Sequence, residues 1–284
     1  MNCEGPISNL KLRTYASLVG VLSLAVAAFA ADLQSKTNVA FDKYAQAVEA
    51  RLEREVRSGP FLYMDSLPAD QQKDAYARVR RGDVLMEKIT HEGDLKAEAP
   101  DALIHHWVGV ALIPNHTLSQ VRQVMQDYDH HAEIYKPEVV RSKTLTHSGN
   151  DFKIYYRLFK KKVISVQLDT EHAAHFVPLS PTRLYSVSHS TKIAELEDPG
   201  TPNEKQKPVG HDSGFLWRLN SYWRLEQKDG GVYVQCEAVS LTRDIPYGVK
   251  WMVAPFVTTI PKESLMNTLT STRNAVDKLP AKQN

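Results

Sequence analysis

Val232-Tyr-Val-Gln-Cys-Glu-Ala-Val-Ser-Leu-Thr242, then Ile245-Pro-Tyr-Gly248, then the run from Pro261 to Val276, is the passage on which the fold turns. The first part has the β-branched and aromatic content, and the partial alternation, of a strand buried on one face. Pro246 has no N–H to donate and Gly248 tolerates positive φ, so the ladder ends there. Pro261 suits a first helical turn, with Thr259 as its cap. Leu265, Leu269, Thr272 and Val276 recur at the spacing of one helical face. The passage predicts a long C-terminal helix laid across a sheet made from the strands before it.

One step upstream, Leu216 to Lys228 joins Val232–Thr242 over Asp229-Gly230, a two-residue hairpin signal. That turn sets Trp223 opposite Cys236, Leu225 opposite Val234 and Ser221 opposite Ala238. The other face pairs Tyr222 with Glu237 and Arg224 with Gln235. The small, apolar face is expected to look at the helix, with Ser221, Ala238 and Ser240 leaving room there. Arg224 and Glu237 read as surface electrostatics, or as charges under the N-terminal helix.

Earlier strands are expected at Ile104–Ile113, Val139–Thr146, Phe152–Phe159, Val163–Ala173 and Arg183–Ile193, with short connections that favour antiparallel pairing. Short helical pieces fall at Thr117–Gln126 and Asp129–Ile134. The Pro/Gly/Lys-rich stretch Leu196–Gly214 reads as a mobile insertion. Strand parity puts Phe152, Ile154, Tyr156 and Leu158 on one face, and Ile164, Val166, Leu168, Thr170 and His172 on one face of the next strand. Toward the N-terminus, Thr37–Arg57 is a strong amphipathic helix closed by Ser58-Gly59-Pro60. Pro68–Arg78 is a second helix, Val84–Ile89 a strand, and His91–Asp101 a linker. The expected division is 1–30 leader, 31–100 helical extension and linker, and 101–284 main domain.

Lys11 and Arg13 ahead of the apolar run Leu18–Phe29, with Ala28-Phe29-Ala30 as a small-residue cleavage motif, read as an export signal. The destination is then the periplasm or the exterior, with an uncleaved N-terminal anchor as the alternative. Removing the leader takes Cys3 and leaves Cys236 alone, a buried small hydrophobe with no disulfide partner. A formal charge of +2 with no basic, aromatic-interleaved cluster points away from nucleic acid. The chain has eleven histidines, but His105-His106 and His130-His131 are adjacent and diverge, and Glu171-His-Ala-Ala-His175 lacks the HExxH order. No metal, cofactor or catalytic residue is therefore assigned.

The element order, with Gln126-Asp-Tyr-Asp-His-His-Ala-Glu-Ile-Tyr-Lys-Pro-Glu-Val-Val140 and Ser240-Leu-Thr-Arg-Asp-Ile-Pro246, resembles the START/Bet v 1-like helix-grip domains, also called SRPBCC, including their polyketide-cyclase-like members. The resemblance spans about residues 102–279. It implies an α+β helix-grip fold: a curved antiparallel sheet of about six to seven strands wrapped on the long C-terminal helix, here with an N-terminal helical extension. Between sheet and helix it implies an elongated cavity, in which family members hold sterols, phospholipids, isoprenoid quinones or polyketides.

The expected function is thus binding or carriage of a hydrophobic, lipid-like small molecule. The ligand-binding residues expected are Tyr156, His172, Tyr185, His189, Trp223, Cys236, Trp251 and Phe256. Tyr156 and His172 read first as satisfied core residues, with ligand contact as the second reading. Val249–Val257 is either an apolar lid touching membrane or partner, or the start of the helix packed on the sheet. Two alternatives stand beside carriage: a cyclase/aromatase-like enzyme using a cavity His and Tyr as acid and base, or a ligand-free envelope interaction protein.

Overall fold

In the computed structural model, residues 31–161, 165–245 and 250–280 are described, with side chains at all of these except 31 and 250–258. The expected leader and residues 246–249 of the turn after Thr242 lie outside them. Helices α1 (Ser35–Ser58) and α2 (Ala69–Arg80) come first, then β1 (Leu85–Lys88), β2 (Ala102–Pro114), α3 (Leu118–Gln126) and α4 (His131–Ile134). Strands β3 (Val139–Ser148), β4 (Asp151–Lys161), β5 (Ser165–Ser180), β6 (Arg183–Glu197), β7 (Arg218–Lys228) and β8 (Gly231–Arg243) follow, and α5 (Lys250–Val276) closes the chain.

The eight strands form one antiparallel path in the order β1-β2-β8-β7-β6-β5-β4-β3. This is the α+β helix-grip arrangement, with α5 over β2 and β8. The hairpin register is the one Asp229-Gly230 dictates: both residues have positive φ (54° and 78°), as a type I′ turn requires, and Trp223 faces Cys236. At β2 the sheet carries Gly109, where a Cβ would lie 2.5 Å from Leu269 Cδ1 and 2.8 Å from Met86 Sδ. No larger residue lets the helix come that close. Leu265, Leu269 and Val276 bury there with Ala111, Leu225 and Val234.

The opposite face of the sheet is covered by α1, whose Phe41, Tyr44, Val48 and Leu52 are buried against Ile104, Tyr222, Val239 and Leu241. Phe61, Leu62, Met64 and Val79 cover Val110, Leu112 and Tyr233 beside them. The molecule is therefore three layers, α5, sheet and N-terminal segment. A capping box starts α3: Gln120 N–H donates to Thr117 Oγ1 at 3.3 Å, and Thr117 N–H to Gln120 Oε1 at 2.9 Å.

Four expectations need correcting. The terminal helix begins at Lys250, so Pro261 and Thr259 lie inside it. Proline at a first turn marks where it is tolerated, not where a helix must begin. Residues 91–101, expected as a linker without strands, are mostly exposed but paired: His91–Glu92 pairs with Leu95–Lys96, Glu98–Ala99 pairs with β2, and Glu92 is buried against Arg51. The insertion after β6 is tied on both sides, Lys205–Gln206 pairing with Leu196–Glu197 and His211–Asp212 with Ala31–Asp32. Finally, β5 runs on through Pro178, which sits at a register shift where a missing N–H is tolerated.

Candidate functional site

Successive side chains on a strand point to opposite faces, so the registers sort the sheet into rows. On the α5 side, Ala111, Val234, Leu225 and Leu184 form a wholly apolar row, closed down by the helix. The next row is Gly109, Cys236, Trp223, Ser186 and Phe176. Then comes Trp107, Ala238, Ser221, Ser188, Ala174 and Phe152. Four small side chains on four neighbouring strands thus lie between two large aromatics, with Trp223 along one side. Ala238, Ser221, Trp223 and Ser188 stay partly exposed although β8, β7 and β6 are interior strands. On β7 the alternation is plain: Ser221 and Trp223 are partly exposed, and Asn220, Tyr222 and Arg224, facing α1, are buried. This trough of small residues is the candidate site.

At the Phe152 end sits an aromatic and imidazole cluster. His131 donates from Nε2 to the Val124 carbonyl at 3.2 Å, so its Nδ1 accepts from the Tyr156 hydroxyl at 2.8 Å. The two rings stack at 5.9 Å, and Tyr128, Tyr135 and His172 pack edge-on or tilted around them. The Tyr135 hydroxyl donates to Thr272 Oγ1 at 3.0 Å, and Thr272 donates to the Thr268 carbonyl at 2.8 Å, tying the cluster to α5. Burial pushes both His131 and His172 down to about 4, so both are neutral near pH 7. Burial likewise raises the Tyr156 hydroxyl and the Cys236 thiol, which stay protonated.

The residues expected from sequence divide between the two faces. Tyr156, His172, Trp223 and Cys236 lie on the α5 side, around the trough. Tyr185 and His189 lie on the α1 side, because β6 residues of odd number face Arg224 and Asn220 there. His189 Nε2–H donates to Glu49 of α1 at 2.8 Å, and the Tyr222 hydroxyl donates to the same oxygen at 2.8 Å. Burial alone would raise the Glu49 carboxyl, but these two hydrogen bonds and the imidazole charge hold it below its usual range. Trp251 and Phe256 fall on the first turns of α5, and their side chains lie outside the described residues. The sequence reading missed Trp107, Ser188, Ala174 and His131. Parity within β5 or β6 marks the small residues, but only the β6–β7 register, across a long insertion, sets Ser188 beside Ser221.

The α1 side is built of charge. Arg51 donates from Nε to both Glu92 oxygens (2.9 and 3.0 Å), from Nη1 to Glu55 (3.2 Å) and from Nη2 to Glu237. Arg224 Nη1 donates to Glu55 at 2.6 Å. His106 Nε2–H donates to Glu237 at 2.7 Å, and the His106 Nδ1 lies 2.9 Å from the Tyr44 hydroxyl. Arg224 and Glu237, expected at the surface or under the N-terminal helix, are under it, 1 % and 2 % exposed. Burial would raise the Glu237 carboxyl, but His106, Arg51 and Arg224 together bring it down to about 2. Ligand-type atoms of Glu92, His106 and Glu237 lie within 4.8 Å of one another. The Arg51 guanidinium already lies against both carboxylates, so a metal ion would have to displace it.

A separate cleft of about 450 Å³ opens between α2 and β1, lined by Tyr63, Asp70, Asp74, Arg78 and Glu87. Its charges are of mixed sign, and it does not communicate with the trough side of the sheet, since Leu85 and Tyr63 belong to the α1-side layer.

No family profile matches the sequence, and no curated protein matches it. Several solved structures are similar. A STAR-related lipid transfer protein from Xanthomonas axonopodis is 14 % identical, with 68 % of this chain and 99 % of that one covered, at a TM-score of 0.44. Human STARD10 is 9 % identical, with 76 % and 82 % covered, at 0.41. The Zhui aromatase/cyclase from a Streptomyces species is 9 % identical, with 62 % and 94 % covered, at 0.41. These are likenesses of fold, and this chain's own residues carry the functional reading.

Proposed function

We propose that this chain is a binding protein that holds an apolar, lipid-like small molecule in the trough beneath α5, and that it works outside the cytoplasm. The observation that carries the reading is the row Ala238, Ser221, Ser188 and Ala174, four small residues in register on interior strands, bracketed by Trp107 and Phe152. Interior strands normally bury large side chains against a covering helix. Here the lower rows do so, whereas this row presents small side chains, three of them partly exposed. Aromatic walls with a few neutral polar groups are the usual lining of a small-molecule site. The side chains of this row carry no formal charge, which suits an apolar ligand body.

The place of work rests on Lys11, Arg13 and the apolar run Leu18–Phe29. Among the described residues no helix is long and apolar enough to cross a membrane. Native mass spectrometry with organic extraction, on protein from an exporting host, tests both halves. Expected are a mass starting at residue 31 and a co-purifying apolar molecule near one per chain. Apo protein that also leaves a panel of fluorescent lipids unbound overturns the carrier reading. Retention of the chain inside the host cell overturns the export reading.

A further inference from the structure

His172 lies on the same face as Ala174 of the trough, one row up, and is 6 % exposed. Its Nε2–H donates to Thr170 Oγ1 at 3.0 Å, and Thr170 in turn donates to the Tyr156 carbonyl at 3.3 Å. A hydroxyl has one proton, and the carbonyl takes it, so the imidazole must supply the proton at Nε2. The tautomer is thereby fixed, and Nδ1 is left as a bare acceptor with no partner among the described residues. The same relay is built at the far end of the row: His105 Nε2–H donates to Thr242 Oγ1 at 3.0 Å, which reaches the Arg243 carbonyl at 3.4 Å. An acceptor left without a protein donor takes one from whatever molecule reaches it.

We propose that the trough selects an uncharged apolar molecule carrying a hydrogen-bond donor, a hydroxyl or an amide N–H, and that His172 Nδ1 accepts from that donor. The inference rests on the reading of the trough as a ligand site and adds to it the chemistry of the ligand's polar end. A carboxylate or phosphate end has no donor to offer at neutral pH. Among the described residues beside His172 itself it finds no cation either, the neighbours there being Ser190, Ser188, Ala174 and Ile154; Lys262, 5.6 Å from the Trp107 ring, and the unpartnered Trp107 N–H lie at the opposite end of the trough. His172 stays neutral because burial opposes its protonation, so it does not become that cation.

The test is a matched set of probes on the full chain at pH 7.5: 1-dodecanol, dodecyl methyl ether and dodecanoate. Binding is read from the fluorescence of the tryptophans, two of which border the trough. Dodecanol is expected to bind about fivefold tighter than the ether, the scale of one net hydrogen bond, with dodecanoate weakest. In His172→Phe the alcohol should fall to the ether's affinity while the ether holds within twofold. In the wild-type chain, the ¹⁵N signal of His172 Nδ1 should move on adding dodecanol and stay put with the ether, a readout that does not depend on the variant folding. Equal binding of alcohol and ether, tightest binding of dodecanoate, or a preference that survives His172→Phe overturns this inference and leaves the carrier reading standing. Failure of all three probes to bind overturns both.

Discussion

The two faces of the sheet are made by the same strands and have opposite solutions to being covered. Under α1, large polar side chains are fully buried: Arg224 and Glu237 are met by Glu55 and Arg51, and the Gln235 side-chain oxygen accepts from the Tyr63 N–H. Under α5, the corresponding positions are Cys236, Ala238, Ser221 and Ser188, small and neutral, and several remain partly exposed. The charged face is specified by partners, each of which must be present. The small-residue face is specified by what is left out. A cover held by paired charges cannot slide or open without stranding an ion, whereas a cover over small neutral side chains strands none. On the proposed reading, the fixed cover is the one on the α1 side and the ligand site lies on the α5 side.

The strongest attempt to break the comparison is Glu237→Gln, which leaves Arg51 and Arg224 short of a carboxylate in a buried layer. Urea unfolding should show a loss of about 3–5 kcal/mol with the m-value unchanged. A loss below about 1 kcal/mol would mean that the apolar contacts of Phe41 and Leu52, rather than the charges, seat α1. On the other face, Leu269→Ala removes packing where the helix approaches Gly109 and should lower stability by about 2–4 kcal/mol.

Acid should separate the faces by pH. His105, His131 and His172 are each held down to about 4 by burial, against 6.5 for the free side chain. The unfolded chain therefore takes up protons that the folded chain refuses, and stability falls as pH drops from about 6.5 toward 4. Glu237, at about 2 when folded against 4.5 free, contributes a second loss only as pH falls from about 4.5 toward 2. Thermal unfolding from pH 7.5 to 3 should show both, and His172→Asn should soften only the upper one; a single transition that Glu237→Gln abolishes entirely would contradict the assignment.

Ser221→Leu sharpens the comparison from the other side. In a close-packed core the added methylenes destabilise by about 1–3 kcal/mol, but in an unfilled trough the change should stay under about 1 kcal/mol while binding of dodecanol is lost. A large destabilisation would show that the trough is already full. The smallest effect belongs to Lys36→Met, which removes the exposed Lys36–Asp101 pair (2.7 Å) and should shift stability by no more than a few tenths of a kcal/mol.

Much of this was legible in the residues. Asp229-Gly230 fixed the β7–β8 register, so the pairing of Trp223 with Cys236 and of Ser221 with Ala238 followed from local turn chemistry. The amphipathic spacing of α1 picks out Phe41, Tyr44, Val48, Leu52 and Val56, of which the first four are buried and Val56 is half-buried. What was not legible lay across long connections. Tyr185 and His189 were grouped with Tyr156 and His172, yet β6 meets β5 through a register shift and β7 across an insertion, and that sends them to the α1 side. His131 could not be placed because its bond to Tyr156 joins a short helix to a strand 25 residues on.

The sequence by itself determined the periodic and the local: which stretches are helices and strands, where the tight hairpin turns, and which residues of a strand share a face. Those depend on backbone preferences and on side-chain alternation within a few residues. Only the tertiary structure decided which faces meet. It brought Ser188 beside Ser221, put Arg51 between Glu92 and Glu237, and left His172 with one nitrogen spoken for and one bare. Registers between strands that are distant in sequence are set by the summed packing of whole layers, and no short run of residues encodes that sum.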